Sequence, residues 1–402
     1  MNPREKRPLF SGNRDAILAT LFALVTLILF FLPTGFDNRV NKAAIRCKAT
    51  VIQTDNSQIR QFAMVRKGSQ TVTLKILDGR FRGKVFEAVN QLMGQLDRDK
   101  LFAVGDTALT VLSLDAQGQV VYVNPQAHHR LGLELMLLLL FLIFLILFGG
   151  WTGVRAMLSF FLSVMSIWKI LVPLFLKGVD PVLLSLGVMA FLSAAIIFLV
   201  AGLSRRGCVA FAGAFLGILT SCLLSVWFTG QFHLHGAIMP FAETLLYSGF
   251  GHLEMTRIYI AGVFIASSGA VMDLAMDVAA SMHEVVQKKP DISRREALRS
   301  GIAVARTVVG TMTTTLLFAY SGGTITLLMA FMAQGVPPAS MFNLIYVAAE
   351  VLKTLVGSFG LVTVGPFTAL VGTLVFIRPH HARKRADAPL SAIYPRLRER
   401  RP

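Results

Sequence analysis

The 402 residues are 54% hydrophobic and only 15% charged, and their formal net charge is +17. A soluble chain is roughly a quarter charged, so this composition excludes a single water-soluble core. The basic residues cluster between apolar runs and at the chain ends, as in cytoplasmic loops. We therefore read the charge as topology and not as a nucleic-acid footprint.

A basic stretch with Arg4, Lys6, Arg7 and Arg14 precedes an apolar run over 16–32. This pattern predicts a first span with its N-terminus inside. No A-x-A site follows the run, so an uncleaved anchor is favoured over a cleaved signal. From about residue 37 to 130 charge rises and strand-like alternation appears. Val72, Leu74 and Ile76 alternate with Thr71, Thr73 and Lys75, and Asp78-Gly79 then turns the chain. Further strands are expected at 49–53, 84–88, 108–114 and 120–123. Roughly five short strands predict a small β-rich domain, an OB-like barrel or a sandwich. Rows of stacking aromatics are missing, which favours a structural role.

The rest reads as membrane. Apolar runs at 131–148, 158–176, 181–203, 208–228, 257–279, 302–320 and 356–377 are each long enough to cross a bilayer. With the first, they make about eight spans. Arg155, Arg205-Arg206 and the group from Lys288 to Arg299 fall in alternate connections, as does the arginine-rich tail from Arg378. The connection 230–255 has no Lys or Arg. This alternation predicts both termini inside and the β domain outside. The segments 230–251 and 322–353, interrupted by Pro240 and by Pro337-Pro338, read as re-entrant or interfacial. Broken backbone at membrane depth needs protein or a water-filled cavity around it.

The expected fold is therefore a polytopic α-helical membrane protein with about eight transmembrane helices. Its parts are a cytoplasmic N-terminus (1–15), a first helix (16–36), an extracytoplasmic β domain (37–130), a membrane domain (131–377) and a basic cytoplasmic tail (378–402).

The run 266–284, ASSGAVMDLAMDVAASMHE, carries the chemistry. Asp273 and Asp277 lie four apart on one helix face, with Glu284 on nearly the same face. Ser267, Ser268 and Gly269 form a small polar patch above them. A carboxylate inside a span is costly and is a functional hypothesis by default. The next span holds Arg306 and the threonines Thr311, Thr313, Thr314 and Thr315, and packing side by side would set Arg306 at the depth of Asp277. This predicts an Asp277–Arg306 pair with Asp273 deeper and less compensated, able to take up and release protons. The alternative is a set of structural polar contacts between helices. Glu350 and Lys353, three apart, are expected to pair with each other, and Glu350 can line a cavity. Gly213 and Gly217 give a G-x-x-x-G close-packing signal, and Gly269 is a further expected packing position.

Other chemistries lack their parts. No phosphate loop is present, and His283-Glu284 begins a zinc-protease helix without its second His. An intramembrane aspartyl protease needs acids from two facing helices, whereas both Asp here share one. Cys47, Cys208 and Cys222 have no disulfide or metal spacing. The sequence thus points to no cofactor, no metal and no catalytic constellation. The expected partners are the lipid bilayer and a second copy or an envelope protein, with an ion or small molecule of unknown identity as substrate.

These same residues carry a resemblance. The run from Ser267 to Glu284, the Thr-rich span ending LLFAYSGG at Gly323, GVPPAS, and EVLKTLVGSFGLVTVGPFTAL from Glu350 resemble the YibE/YibF family of multispanning bacterial membrane proteins. LDGRFRGK and LDRDKLFAVGD near Asp106 are similar to it as well, so the likeness covers nearly the whole chain past Val40. It implies a bacterial plasma (inner) membrane location and about eight spans, and it supplies no established activity. A remoter likeness lies in the order of elements. A small-residue helix with a membrane Asp, a basic stretch with SRREAL and a Thr-rich span ending in Gly-Gly look like the second half of SecD/SecF and RND-type permeases. There the corresponding Asp and Arg belong to the proton-coupled part, which singles out Asp273, with Arg306 and Thr314 nearby. The leading expectation is a proton-coupled transporter component. The runner-up is a non-transporting assembly protein that holds an envelope partner, and an intramembrane enzyme comes last.

Overall fold

The computed structural model describes residues 9–36 and 44–377, with side chains from residue 16 onward. The described chain forms two compact units, one over Gly35–Phe148 and one built from the residues on either side.

The first unit contains β1 (Ala44–Phe62), β2 (Val65–Ile76), β3 (Val85–Met93), β4 (Thr107–Leu114) and β5 (Val120–His128). They form one antiparallel sheet in the order β3-β2-β1-β4-β5. The edge strands β3 and β5 approach each other, so the sheet curls into a barrel-like form rather than a two-sheet sandwich. Alternation drives this arrangement: Val72, Leu74 and Ile76 point into a core with Ala49, Val51, Phe102, Ala108 and Leu112. The first two strands run well past the predicted 49–53 because they pair as a long hairpin. Its tip, at Phe62 and Met64, is 85% and 79% exposed. Two devices here were not read from the sequence. Gln70, fully buried, donates to the Phe102 carbonyl (2.8 Å) and accepts from the Phe102 amide (3.0 Å) and from Asn90 Nδ2 (3.0 Å). Asp99 accepts from the amides of Met93 (3.0 Å), Gly94 (2.6 Å) and Gln95 (2.8 Å), which holds its carboxyl below the usual range, the Met93 bond contributing most.

Helix α2 (Leu131–Ser166) begins in this unit and crosses the boundary, with a non-helical Gly150 (φ 52°) between its two arms. The sequence predicts two spans separated by a loop. The structure separates two helical arms at a sharp, non-helical Gly150 in place of a longer loop, a backbone that a glycine adopts without strain. None of the residues in the helix's most apolar stretch is buried.

The second unit is a helical bundle. Its helices are α1 (Leu9–Phe31), the second arm of α2, α3 (Val172–Leu176), α4 (Pro181–Ala201) and α5 (Arg205–Gln231), followed by the short α6 (Ala242–Tyr247). Next come α7 (Met255–Lys288), α8 (Arg294–Ser321), α9 (Ile325–Ala333), α10 (Pro338–Asn343) and α11 (Ile345–Phe376). Among the described residues, six helical runs are long and apolar enough to cross a membrane, and Ala16–Phe31 is a shorter apolar helix. The second arm of α2 continues through a π-helical turn at Ile167–Leu171, where Lys169 Nζ donates to the Leu32 carbonyl at the end of α1 (2.7 Å).

Packing centres on α11, which lies against α5, α7 and α8. Small residues set these contacts. A Cβ added at Gly217 would lie 2.8 Å from Val271 Cγ1 and 2.9 Å from Val364 Cβ, and one at Gly213 would overlap Thr368. A Cβ at Gly301 would come within 2.9 Å of Ala369 Cβ, and one at Gly357 within 3.0 Å of Ser267 Cβ. Close backbone approach of this kind is how helices associate where lipid removes the hydrophobic drive.

The expected break over 322–353 occupies only the first part of that segment. Helix α9, a turn at Gly335 and α10 interrupt the chain, but α11 starts at Ile345 and runs unbroken through Glu350 and Lys353. The two charges stay in the helix because they pair with each other, Nζ to Oε2 at 3.6 Å. The segment 230–251 holds only a 3-10 turn at Gly236–Ile238 and the six-residue α6.

Candidate functional site

Helix α7 has two unlike faces. One is buried against α4, α5 and α11 and carries Val263, Phe264, Ser267, Val271, Leu274, Ala275 and Val278. The other carries Gly262, Ala266, Gly269, Asp273, Asp277 and Glu284, all exposed within the chain. The four-residue spacing of the two Asp therefore places both carboxylates one turn apart on the outward face, not in the bundle interior. Their small neighbours leave that face open: a Cβ at Gly262 or Gly269 meets nothing within 4 Å.

Helix α8 begins with the capping signal in SRRE. Ser293 accepts from the Glu296 amide (3.2 Å), and Lys289 Nζ from the preceding connection reaches Glu296 Oε1 (2.6 Å). Its buried residues are only Ala297, Gly301, Ala305 and Leu316. Arg306, Thr307, Gly310, Thr311, Thr314 and Thr315 are exposed. Thr311 Oγ1 donates to the Val308 carbonyl (3.0 Å) and Thr315 Oγ1 to the Thr311 carbonyl (3.1 Å). Thr314 Oγ1 makes a longer bond to Gly310 (3.4 Å). Such back-bonding satisfies a hydroxyl in an apolar medium and leaves its lone pairs facing outward.

The predicted Asp277–Arg306 pair is not formed. Among the described residues, neither side chain has an ion-pair partner within 4.0 Å. The depths do match: at 1.5 Å per residue, Asp277 lies about 16 Å before the end of α7 and Arg306 about 18 Å into α8. What separates them is azimuth, because both side chains point outward from adjacent helices instead of toward each other.

Glu350 sits apart from this face. It lines a cavity of about 220 Å³ between the end of α8, α9, α10 and the start of α11, with Tyr320, Ser321, Thr324, Phe342 and Thr354. The Lys353 ammonium lies 5.1 Å from the Tyr320 ring centre. Close by, Tyr259 donates to the Ala349 carbonyl (2.8 Å). The cavity was foreseen only through Glu350. An aromatic that lines it, Tyr320, was read as the end of a span.

Gly213 and Gly217 lie in the α5–α11 seam, whereas Gly269, expected to pack closely, opens onto free space. Among the described residues no three His, Cys, Asp or Glu side chains gather as metal ligands would. Cys47 is buried in the β domain, and burial, helped by Asp78, pushes its thiol up to about 11, which leaves it a poor nucleophile.

A family model described as YibE/F-like protein matches residues 137–378, a stretch that includes α7, α8 and α11 whole. The chain belongs to the YibE/F-like family. Every candidate residue above lies inside the family's span, while the barrel-like sheet lies before it. No curated protein matches the chain, and no solved structure does either. The likeness to SecD/SecF and RND-type permeases therefore gains nothing from the comparisons.

Proposed function

We propose that this chain is a component of a proton-coupled membrane transporter, with Asp273 as the group that binds and releases the proton. The observation that carries the reading is the outward face of α7 and α8. Two helices long and apolar enough to cross a membrane carry on it two carboxylates, an arginine and a row of threonines, all exposed within the chain. Such groups are costly in lipid and mark ion pathways. Asp273 lies deeper than Asp277 and Arg306, so it is the acid with the least compensation nearby. Arg306 and Thr314 serve as positioning residues.

The same reading includes the topology. The 46-residue run Leu131–Leu176 is broken at Gly150 into two arms, each with the roughly 18 residues that a crossing of the hydrocarbon core needs. Counted as two crossings and joined by α1, it brings the total to eight. That number puts both termini on the cytoplasmic side of a bacterial plasma membrane and residues 37–130 outside. Arg155, Arg205 and Arg206 then fall inside, in accord with the positive-inside rule.

The test is proton flux in vesicles holding wild type or Asp273→Asn, with folding checked by gel filtration. The expected loss is at least about ten-fold, the scale of removing a proton-transfer group. Equal flux with normal folding removes the coupling.

A second reading is favoured by one feature, the exposed tip of the β1–β2 hairpin with Phe62 and Met64 beside Arg60, Arg66 and Lys67. It is a non-transporting assembly protein that holds an envelope partner there. Cross-linking from residue 64 in cells distinguishes the two: a stoichiometric partner without flux selects this reading.

A further inference from the structure

We infer that the outward face of α7 and α8 is an interface between two copies of this chain, in which Asp277 of one copy meets Arg306 of the other. The inference rests on the membrane part of the reading above and is independent of proton coupling.

Three observations converge. First, coverage is uneven: in the most apolar stretch of α7, 61% of residues are buried, while in the whole of α8 only Ala297, Gly301, Ala305 and Leu316 are buried. A helix with Arg306 and four threonines on its open side is not one that lipid tails cover well. Second, α7 presents Gly262, Ala266 and Gly269 on one stripe with open space beyond. A second helix can approach such a stripe backbone to backbone. Third, the charges complement themselves. Asp277 and Arg306 have no ion-pair partner among the described residues, and they lie at matching depth on adjacent antiparallel helices.

The third observation selects the occupant. A two-fold axis along the membrane normal preserves depth. Rotation about an axis that passes in front of the groove between α7 and α8 carries the α8 of one copy in front of the α7 of the other, so each Asp277 faces the other copy's Arg306. A self-complementary face of this kind is what an isologous interface requires. An unrelated partner would have to supply both signs at the same level. Within one copy the pair fails by azimuth; between two copies the same azimuth makes it. Asp273, one turn deeper, is then enclosed between the copies without a cation of its own.

The experiment uses the full chain in membranes. Gly269→Cys provides the reporter, because a side chain there meets nothing within one copy. A bifunctional maleimide that spans the interface is expected to give a band at twice the monomer mass, and native Cys208 and Cys222 without the reporter serve as the background. Asp277→Arg and Arg306→Asp, each added separately, are expected to cut that band at least ten-fold. The decisive arm co-expresses the two reversal variants with different tags. Each homodimer then has both pairs broken, whereas the mixed dimer has both intact, so only the heterotypic cross-link is expected to return. An intramolecular role cannot produce that rescue, and the rescue itself shows that both variants fold.

Three results would overturn the interface: no Gly269→Cys dimer although the thiol reacts with a maleimide, a cross-link to a protein of another mass, or reversal variants that cross-link like the parent. A restored heterotypic band with unchanged flux in Asp273→Asn would keep the interface and discard the coupling.

Discussion

The α5–α11 seam and the outer face of α7–α8 are built from the same kinds of residue, and one is closed while the other is open. Gly213, Gly217, Gly360 and Thr368 are pressed together in the seam. Gly262, Ala266, Gly269 and the threonines of α8 face outward with nothing of their own chain on them. In a soluble protein an open stripe of small residues means little. In a bilayer, where small residues allow helices to approach, it marks a surface whose partner lies elsewhere.

Substitutions at the two glycine sites separate the regions most sharply. Gly217→Leu drives a branched side chain into Val271 and Val364 and is expected to destabilise the bundle by about 3 kcal/mol, read as a lower unfolding temperature in detergent. Gly269→Leu has free space and should shift that temperature by no more than the equivalent of about 0.5 kcal/mol, while abolishing the cross-linked dimer. Comparable losses at both positions would erase the contrast.

The β domain supplies the next largest effect. Gln70→Ala leaves the Phe102 amide and carbonyl unpaired in a fully buried site and is expected to cost about 2–3 kcal/mol. Chemical denaturation followed by a probe in that domain reads it out.

Much of this architecture was legible in the residues. Apolar length announced the spans, and alternation at 71–76 announced the sheet, because both signals are local. The start of α11 was hidden. Pro337-Pro338 marks a real break between α9 and α10, but the charges of Glu350 and Lys353 imitate its continuation, and only their mutual pairing inside a continuous helix removes it. The site was half legible. Periodicity put Asp273 and Asp277 on one face, but it cannot say whether that face meets a neighbour, since azimuth depends on which helices surround α7. The Asp277–Arg306 pair failed within the chain for that reason. Gln70 and Asn90 gave no signal, as two polar residues in alternating strands look like any solvent-facing pair.

A smaller effect is expected at Asp99. Its carboxylate accepts three backbone amides and its folded value is depressed. The unfolded chain therefore binds more protons in acid, and the contribution is complete above the ordinary carboxylate value of about 3.9. It is lost as pH falls through the lower folded value. Asp99→Ala is expected to cost about 1 kcal/mol at neutral pH, and the difference from wild type should shrink in acid. A difference constant down to that range contradicts the assignment. Smallest of all, Phe62→Ser at the hairpin tip should change stability by less than about 0.5 kcal/mol, which a melting curve checks.

The account turns on Asp273 being a carboxyl in the bilayer that exchanges its proton with water. An apolar carbodiimide reacts with protonated carboxyls inside membranes, so labelling of the full chain followed by mass spectrometry measures this directly. The account predicts modification at Asp273 that declines as the bath is made alkaline and disappears in Asp273→Asn. An unlabelled Asp273 at every pH, in a protein that labels elsewhere, would contradict it.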